Sequence, residues 1–206
     1  MRALPEPTLS NVSRETLDRL TCYENLLQRW NRSINLVSAR SLADFQTRHL
    51  ADSLQLLALA PPTSVHWADL GSGAGFPALP VAIVAAETFP ALRITLVESD
   101  KRKAVFLETI IRETGISCKV LASRAEALDP LKADVVSARA LADLKTLLDL
   151  LYAHGHESSI GLFPKGRSVD DELTRVEGLW NFDLEIVRST TDPHGVILKI
   201  GDLSRA

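Results

Sequence analysis

Three glycines at alternate positions form the most informative segment of the sequence, which reads DLGSGAG at residues 69–75. Glycine lets the backbone turn sharply and approach a ligand closely, because no Cβ atom stands in the way. A helix predicted to begin near Pro77 would direct its N-terminal amides toward that ligand. Glu98 lies 23 residues beyond Gly75, and a carboxylate there can accept hydrogen bonds from both hydroxyls of a ribose. These residue types predict a site for a ribose-containing cofactor.

Strands and helices alternate in the apolar pattern around this segment. Strands are predicted at residues 65–70, 93–98, 118–122, 133–137, 160–164, 184–189 and 196–200, and helices from residue 77 and over residues 101–114, 142–153 and 169–179. This order predicts a mostly parallel, doubly wound α/β sheet of seven strands. The turn sequence TDPHG at residues 191–195 predicts that the C-terminal strand is antiparallel. In such a sheet, ligands bind beyond the carboxyl ends of the strands, where residues 71–75 and Glu98 lie.

The first sixty residues show helical periodicity instead. Large apolar side chains recur at three- and four-residue steps from Leu17 to Trp30, after a plausible cap at Ser13, and a second helical run covers residues 42–59. We therefore expect a helical cap over residues 1–61 and a sheet domain over residues 62–206, forming one compact unit.

The composition is typical of a globular protein that buries a substantial core, with 46% hydrophobic and 24% charged residues among 206. No run approaches the roughly 20 apolar residues of a membrane span, and the start of the chain shows no secretory signal. Cys22 and Cys118 lack the spacing of a metal site. We expect a cytoplasmic protein without metal or membrane association. The net charge of −3 argues against coating of nucleic acid by bulk electrostatics, but leaves room for a local basic face.

The spacing of the glycines separates two classes of cofactor. Dinucleotide-binding folds use GxGxxG, whereas Phe76 occupies the sixth position here. The pattern Asp-x-Gly-x-Gly-x-Gly resembles the first motif of class I, Rossmann-like methyltransferases. The resemblance implies S-adenosylmethionine as the cofactor, with Glu98 on its ribose. Residues 123–126 follow the third strand, where such folds hold the adenine, and Glu126 is a candidate acceptor for the adenine amino group.

Two chemistries of methyl transfer are excluded by missing functional groups. Exocyclic amines of bases are usually methylated with an Asn/Asp-Pro-Pro-Tyr motif after the fourth strand, where this chain has SARA at residues 137–140. Methylation at C5 of a pyrimidine needs a cysteine nucleophile, commonly in Pro-Cys, and neither cysteine has that context. An acceptor with its own lone pair remains, and guanine N7 is one that needs no general base. Holding such an atom in line with the methyl group can be worth about 7–11 kcal/mol.

Three basic residues follow the strands that would border the acceptor. Arg139 ends the fourth strand and is the candidate catalytic residue, since it can hydrogen-bond the cofactor, guanine O6 or a phosphate. Lys165 and Arg167 occupy the equivalent place after the fifth strand and are candidate RNA contacts. Each of the three is alternatively a solvated charge at a strand end.

Further segments resemble one family, the RsmG (GidB) methyltransferases, from about residue 17 to residue 201. They are YENLLQRWNRSINLVS at 23–38, RHLADS at 48–53, GSGAGFP at 71–77, ESDKRK at 98–103, SARA at 137–140 and PKG at 164–166. The resemblance implies methylation of N7 of a guanine in the 530 loop of bacterial 16S ribosomal RNA. It also implies 16S RNA or the small subunit as partner, with no oligomer required.

The resemblance carries the family's cofactor contacts onto particular positions of this chain. With the residues argued above, the predicted cofactor site comprises Gly71, Gly73, Gly75, Phe76, Glu98, Ala125, Glu126 and Arg139. One departure is Ala78, where many members have glycine. Trp30, Asn31, His49, Asp52 and Ser53 have no independent chemical interpretation, and we expect them to seat the cap on the sheet and shape the RNA entrance. The alternative is methylation of a small molecule or protein, which predicts a closed pocket without a basic surface.

Overall fold

The computed structural model describes residues 12–38, 42 and 45–206, with the side chains of residues 46–48 left out. Parts of the predicted cap, at residues 1–11, 39–41 and 43–44, lie outside the described residues. Within the described part of the chain, no helix is both long and apolar enough to cross a membrane.

Over the described residues, the chain before the sheet is mainly helical. Helix α1 spans Arg14–Ile34, and the Ser13 hydroxyl caps it by accepting from the amide of Thr16 at 3.2 Å. It ends at Asn35, whose φ of 46° is left-handed. A π-helix spans Phe45–Leu50 and runs directly into helix α2, Ala51–Leu59. The predicted helical character of this region is confirmed over the described residues.

The remainder is an alternation of strands and helices around one sheet. The strands are β1 His66–Leu70, β2 Arg93–Val97, β3 Cys118–Leu121, β4 Val135–Ser137, β5 Ile160–Lys165, β6 Trp180–Arg188 and β7 Val196–Arg205. The helices are α3 Ala78–Thr88, α4 Lys101–Thr114, α5 Leu144–His154 and α6 Val169–Thr174, with a 3₁₀ turn at Ala125–Ala127.

The strand order is β3-β2-β1-β4-β5-β7-β6, and every pairing is parallel except those of β7 with β5 and β6. The predicted doubly wound sheet of seven strands with an antiparallel C-terminal strand is therefore confirmed. The chain reverses its direction of winding between β1 and β4, so the carboxyl ends of these two strands flank the switch point at which ligands bind in such sheets.

The prediction for residues 169–179 was wrong in its second half. Helix α6 ends at Thr174, and residues 175–179 continue as tighter turns up to Gly178, whose φ is 72°. Strand β6 then begins at Trp180, earlier than predicted, and pairs with a β7 that extends to Arg205. A register shift between Asn181 and Asp183 interrupts the alternation of side chains, which explains why the sequence pattern missed the start of this strand.

Two apolar clusters form the core. One includes Tyr23 and Leu27 of α1 together with Leu79 of α3 and Phe106 of α4, so the cap helix shares a core with the sheet. The other surrounds α5 and the C-terminal strands. Trp30 of α1 also packs against Phe106, with ring centroids 5.7 Å apart. The predicted boundary between cap and sheet domain at residue 61 stays a prediction. The apolar packing continues across it, since α1 and the sheet share one cluster.

Candidate active site

The glycine loop, residues 69–75, turns over the end of the neighbouring strand. The amides of Gly71 and Ser72 both donate to the carbonyl of Val97, at 2.8 and 3.0 Å. Gly71 and Gly75 have φ angles of 68° and 95°, which side chains rarely allow. A Cβ atom at Gly75 would also collide with Leu79. The close turn therefore requires glycine at these positions.

Tyr23 of α1 fastens the loop from the cap side, which the sequence did not indicate. Its hydroxyl donates to the carbonyl of Ala74 at 2.6 Å, and the side chain is fully buried. Burial raises the pKa of Tyr23 well above its usual value, so the hydroxyl stays protonated and remains a donor. The N-terminal helix is thus part of the site's framework.

Glu98 is buried beside the loop, as the sequence predicts, at 6% exposure. Its Oε2 accepts from the amide of Gly73 at 2.8 Å and its Oε1 from the amide of Asp100 at 2.7 Å. Each carboxylate oxygen has a second lone pair, which leaves Glu98 able to accept from ribose hydroxyls. Among the described residues, a Cβ at Gly73 would meet only the carbonyl oxygen of Gly71, at 3.7 Å, so a ligand has room to approach there.

Asp69 is a second acidic group below the loop. Its Oδ1 accepts from the Ser137 hydroxyl at 2.6 Å, and that hydroxyl in turn accepts from Trp67 Nε1 at 2.8 Å. Its Oδ2 is buried and lacks a hydrogen-bond partner among the described residues. Burial raises the pKa of Asp69 to about 6. Ser137 belongs to the predicted SARA segment, but its link to Asp69 was not predicted.

Ala125 and Glu126 lie in the 3₁₀ turn that follows β3. Nε2 of His154 lies 3.0 Å from the carbonyl oxygen of Ala125, and since a carbonyl only accepts, Nε2 carries the proton. Burial lowers the pKa of His154, which keeps the ring neutral. Ala125 is buried and Glu126 is exposed at the rim. His154 therefore positions the predicted adenine-binding segment, a role that its place in α5 did not suggest.

The residues around the loop fit a cofactor such as S-adenosylmethionine. Asp69 and Glu98 provide two carboxylates that would suit a ligand carrying a positive charge and hydroxyl groups. Oδ2 of Asp69 is buried without a hydrogen-bond partner among the described residues. The room above Gly73 supplies the necessary close approach of the backbone. The predicted cofactor residues Gly71, Gly73 and Glu98 thus come together.

Phe76 joins an aromatic cluster between the loop and the cap. His49 stacks on its ring with centroids 4.4 Å apart and planes inclined by 15°, while Phe45 and Tyr23 lie at 5.9 and 5.6 Å. The guanidinium carbon of Arg139 lies 5.8 Å from the centre of the same ring. Phe76 therefore connects the cap to the candidate catalytic arginine, and the seating role expected for His49 stays a prediction.

Arg139 lies at the carboxyl end of β4, between the cap and the sheet. The next residue, Ala140, has a φ of 52°, a strained value for a residue with a Cβ. Nη2 of Arg139 lies 3.7 Å from Oδ2 of Asp52 in α2. Both side chains are about one-fifth exposed, at 22% and 20%.

A cleft of about 560 Å³ opens beside Arg139 at this edge of the sheet. Its walls come from α2, the loops after β4 and β5, and the β6–β7 turn, and include Asp52, Arg139, Leu141, Lys165, Gly166 and Val196. Leu141 also lies against Gly71, where an added Cβ would come within 2.5 Å of its Cδ1. Leu141 is therefore a wall shared by the cleft and the glycine loop, and the size of the cleft suits a nucleotide-sized ligand.

The structure distinguishes the two predicted RNA contacts. Nζ of Lys165 donates to Oε2 of Glu172 at 2.6 Å and to the carbonyl of Ala142 at 3.0 Å, and its side chain is only 8% exposed. Arg167 is exposed beyond the cleft. Lys165 thus fixes the wall of the cleft, whereas Arg167 is placed to meet a ligand from solvent. Both assignments as RNA contacts stay predictions.

The strand order, the glycine loop and the acidic residue after β2 define the class: this is a class I, Rossmann-like methyltransferase fold. A SAM-dependent methyltransferase from Aquifex aeolicus superposes with a TM-score of 0.60 at 13% identity, covering 78% of this chain and 95% of that one. TYW2 of M. jannaschii in complex with AdoMet superposes with a TM-score of 0.53 at 12% identity, covering 78% and 75%. These likenesses concern the fold.

Sequence comparison identifies the family. A family model described as rRNA small subunit methyltransferase G (GidB) matches residues 16–198. The "Ribosomal RNA small subunit methyltransferase G" of Ruegeria pomeroyi is 48% identical over 202 residues, which cover 98% of both chains. That of Rhodospirillum centenum is 49% identical over 193 residues, covering 94% of this chain and 87% of its own. The chain belongs to the rRNA small subunit methyltransferase G family.

Proposed function

We propose that this protein transfers a methyl group from S-adenosylmethionine to N7 of a guanine in the 530 loop of 16S ribosomal RNA. Membership of the rRNA small subunit methyltransferase G family supports the substrate class. The observation that carries the chemistry is the buried Glu98 bonded to the glycine loop, with Leu141 lying against that loop and lining the cleft that contains Arg139.

The cofactor would be held by the residues that surround the loop. Glu98 would accept from the ribose hydroxyls, the 3₁₀ turn at Ala125–Ala127 would border the adenine, and the carboxylate of Asp69 would favour the cationic end of the molecule. When bound, S-adenosylmethionine supplies an electrophilic methyl group on a sulfonium. Leu141, which covers Gly71, would limit the access of water to this end of the cleft.

The acceptor requires orientation rather than deprotonation, because guanine N7 carries a lone pair and no proton. Arg139 can donate to guanine O6, which neighbours N7 on the same edge of the base. A base inside duplex RNA cannot reach such a cleft, so we propose that the guanine enters unstacked. Arg167, exposed beyond the cleft, would contact the phosphates of the flanking nucleotides.

We propose that one chain carries the complete site and that no oligomer is required. We propose 16S RNA or the small ribosomal subunit as the partner, and a cytoplasmic location with this substrate. A methyltransferase of a small molecule or protein finds less support, because the matching family model and the named relatives are small-subunit ribosomal RNA methyltransferases.

The test incubates the protein with labelled S-adenosylmethionine and either naked 16S RNA or purified small subunits lacking the modification. N7-methylguanine is then mapped by reduction and strand cleavage. The proposal expects a single new cleavage within the 530 loop. Label at another atom or another position, or none in either substrate while the cofactor binds in calorimetry, contradicts it.

A further inference from the structure

Asp52 is a charged residue that the chemistry above leaves without a role. It lies in the first turn of α2 and lines the cleft beside Arg139. Because α2 belongs to the N-terminal helical part and Arg139 to the loop after β4, the contact joins two regions that are distant in sequence.

The two oxygens of Asp52 have different neighbours. Oδ1 accepts from the hydroxyl of Thr191 and lies 3.5 Å from the hydroxyl of Ser189, both in the β6–β7 turn. Oδ2 faces Arg139 Nη2 at 3.7 Å, within the range of an ion pair and beyond that of a good hydrogen bond. The turn therefore orients the carboxylate, and the oxygen left over is directed at the arginine.

Arg139 meets Phe76 and Asp52 from different elements. Its guanidinium carbon lies 5.8 Å from the Phe76 ring centre, and Asp52 supplies the opposite charge from α2. An arginine side chain has several rotatable bonds, and ordering them before substrate binds lowers the entropy lost in reaching the reactive arrangement.

We propose that Asp52 is a positioning residue that holds the Arg139 guanidinium in the orientation required to engage the acceptor guanine. This inference rests on the proposed function, since that function gives Arg139 its acceptor. Asp52 acts through Arg139 and does not itself touch the reacting atoms. The β6–β7 turn takes part by fixing Asp52 through Thr191.

Gln55 also attaches α2 to the β6–β7 turn, through hydrogen bonds that do not involve Arg139. Its Nε2 donates to the carbonyl of Arg188 at 2.7 Å, and its Oε1 accepts from the amide of Thr190 at 3.1 Å. Gln55 lies one turn further along the same helix and bonds the same segment as Asp52. Gln55 also lines the cleft but carries no charge, and Gln55→Ala is therefore the control for the docking of α2 on the turn.

The experiment measures kcat and KM for RNA in Asp52→Asn, Arg139→Lys, the double variant and Gln55→Ala. Asp52→Asn keeps the shape and an acceptor for Thr191 but removes the charge, and we expect kcat to fall about ten-fold. In the Arg139→Lys background the same change should cost less than about two-fold, because its effect passes through the arginine. Additive losses would overturn the proposal, as would an equal loss of kcat in Gln55→Ala.

A second readout follows Arg139 without turnover. The Nε–Hε resonance of Arg139, assigned by its disappearance in Arg139→Lys, is compared in wild type, Asp52→Asn and Gln55→Ala. We expect Asp52→Asn alone to shift or broaden it, with the urea unfolding transition preserved. An unchanged resonance in Asp52→Asn overturns the proposal. If the wild type methylates no RNA, the proposed function fails, and the resonance still shows whether Asp52 positions Arg139.

Discussion

The two halves of the site are held by different kinds of contact. On the cofactor side, backbone amides donate the hydrogen bonds that shape the loop: those of Gly71 and Ser72 donate to the end of β2, and that of Gly73 donates to Glu98. On the acceptor side, side chains position one another, as in Lys165 with Glu172 and the Asp52 contact with Arg139.

This difference has a consequence for mutation. Backbone contacts depend on the allowed φ angles and the space at each glycine, so changes there should affect folding and cofactor binding together. Side-chain contacts depend on charge and rotamer, so changes on the acceptor side should affect turnover or local stability separately. Variants on the two sides of the site therefore test this division.

Of the variants considered for the two halves, Gly75→Ala should have the largest effect. It combines a left-handed φ of 95° with a collision against Leu79, and a Cβ there would also approach the Tyr23 hydroxyl at 3.1 Å. We expect the unfolding free energy to fall by about 3–4 kcal/mol and cofactor affinity to fall with it. Urea unfolding and calorimetry measure the two quantities.

Gly178→Ala is the control for this prediction. Gly178 has a similar φ of 72°, but nothing lies within 4 Å of the position of its Cβ. Its substitution should cost only about 1–2 kcal/mol, the conformational part alone, and leave cofactor affinity unchanged. Equal losses in the two variants would show that the packing around Gly75 is not specially constrained.

The same division explains how much was predictable from sequence. The glycine loop and Glu98 were found because their function depends on local spacing and on the end of a strand, which periodicity reveals. Tyr23 and His154 were missed, because each acts on a backbone carbonyl at least 29 residues away. The start of β6 was missed because a register shift disturbs its alternation. Contacts between residues that are distant in sequence leave no periodic pattern in it.

Asp69→Asn tests the buried acid through the pH dependence of stability. Since burial raises the pKa of Asp69 to about 6, the folded protein holds this proton to a higher pH than the unfolded chain does. The stability of the wild type relative to Asp69→Asn should therefore fall as pH rises from about 4 to about 6, by roughly 3 kcal/mol in total. Asparagine does not titrate and can still accept from Ser137.

Unfolding free energies of both proteins, without cofactor, across pH 4 to about 7 measure this difference. Taking the difference removes the other carboxylates, whose titration is common to both. Two parallel curves would mean that Asp69 is hydrated or otherwise stabilised as an anion, and the cofactor half would then lack its buried unpartnered oxygen.

Glu172→Gln tests the acceptor half. It removes the charge opposite Lys165, whose side chain is 8% exposed, and weakens an acceptor for the amide of Leu144. We expect a loss of about 1–3 kcal/mol, less than for a fully buried pair because Glu172 is partly exposed at 13%. Cofactor affinity should be unchanged, since the cofactor half is held by its own backbone contacts.

The exposed pair of Lys145 with Asp149 on α5 provides the comparison, and Lys145→Ala should change stability by at most about 0.5 kcal/mol. A loss of cofactor affinity in Glu172→Gln would show that the two halves are coupled through the sheet.

Among the variants within the two halves of the site, Tyr23→Phe should have the smallest effect, and it decides whether the cap belongs to the cofactor half. It removes only the hydroxyl that donates to the carbonyl of Ala74 and leaves the aromatic packing against Phe45 and Phe76 in place. The carbonyl then stays buried without this donor, and we expect a loss of about 1–2 kcal/mol in unfolding free energy. If α1 holds the glycine loop in shape, the cofactor affinity measured by calorimetry should fall together with the stability. A variant that loses stability but binds the cofactor as the wild type does would confine the cap to a structural role, and the glycine loop would then owe its geometry to β2 alone.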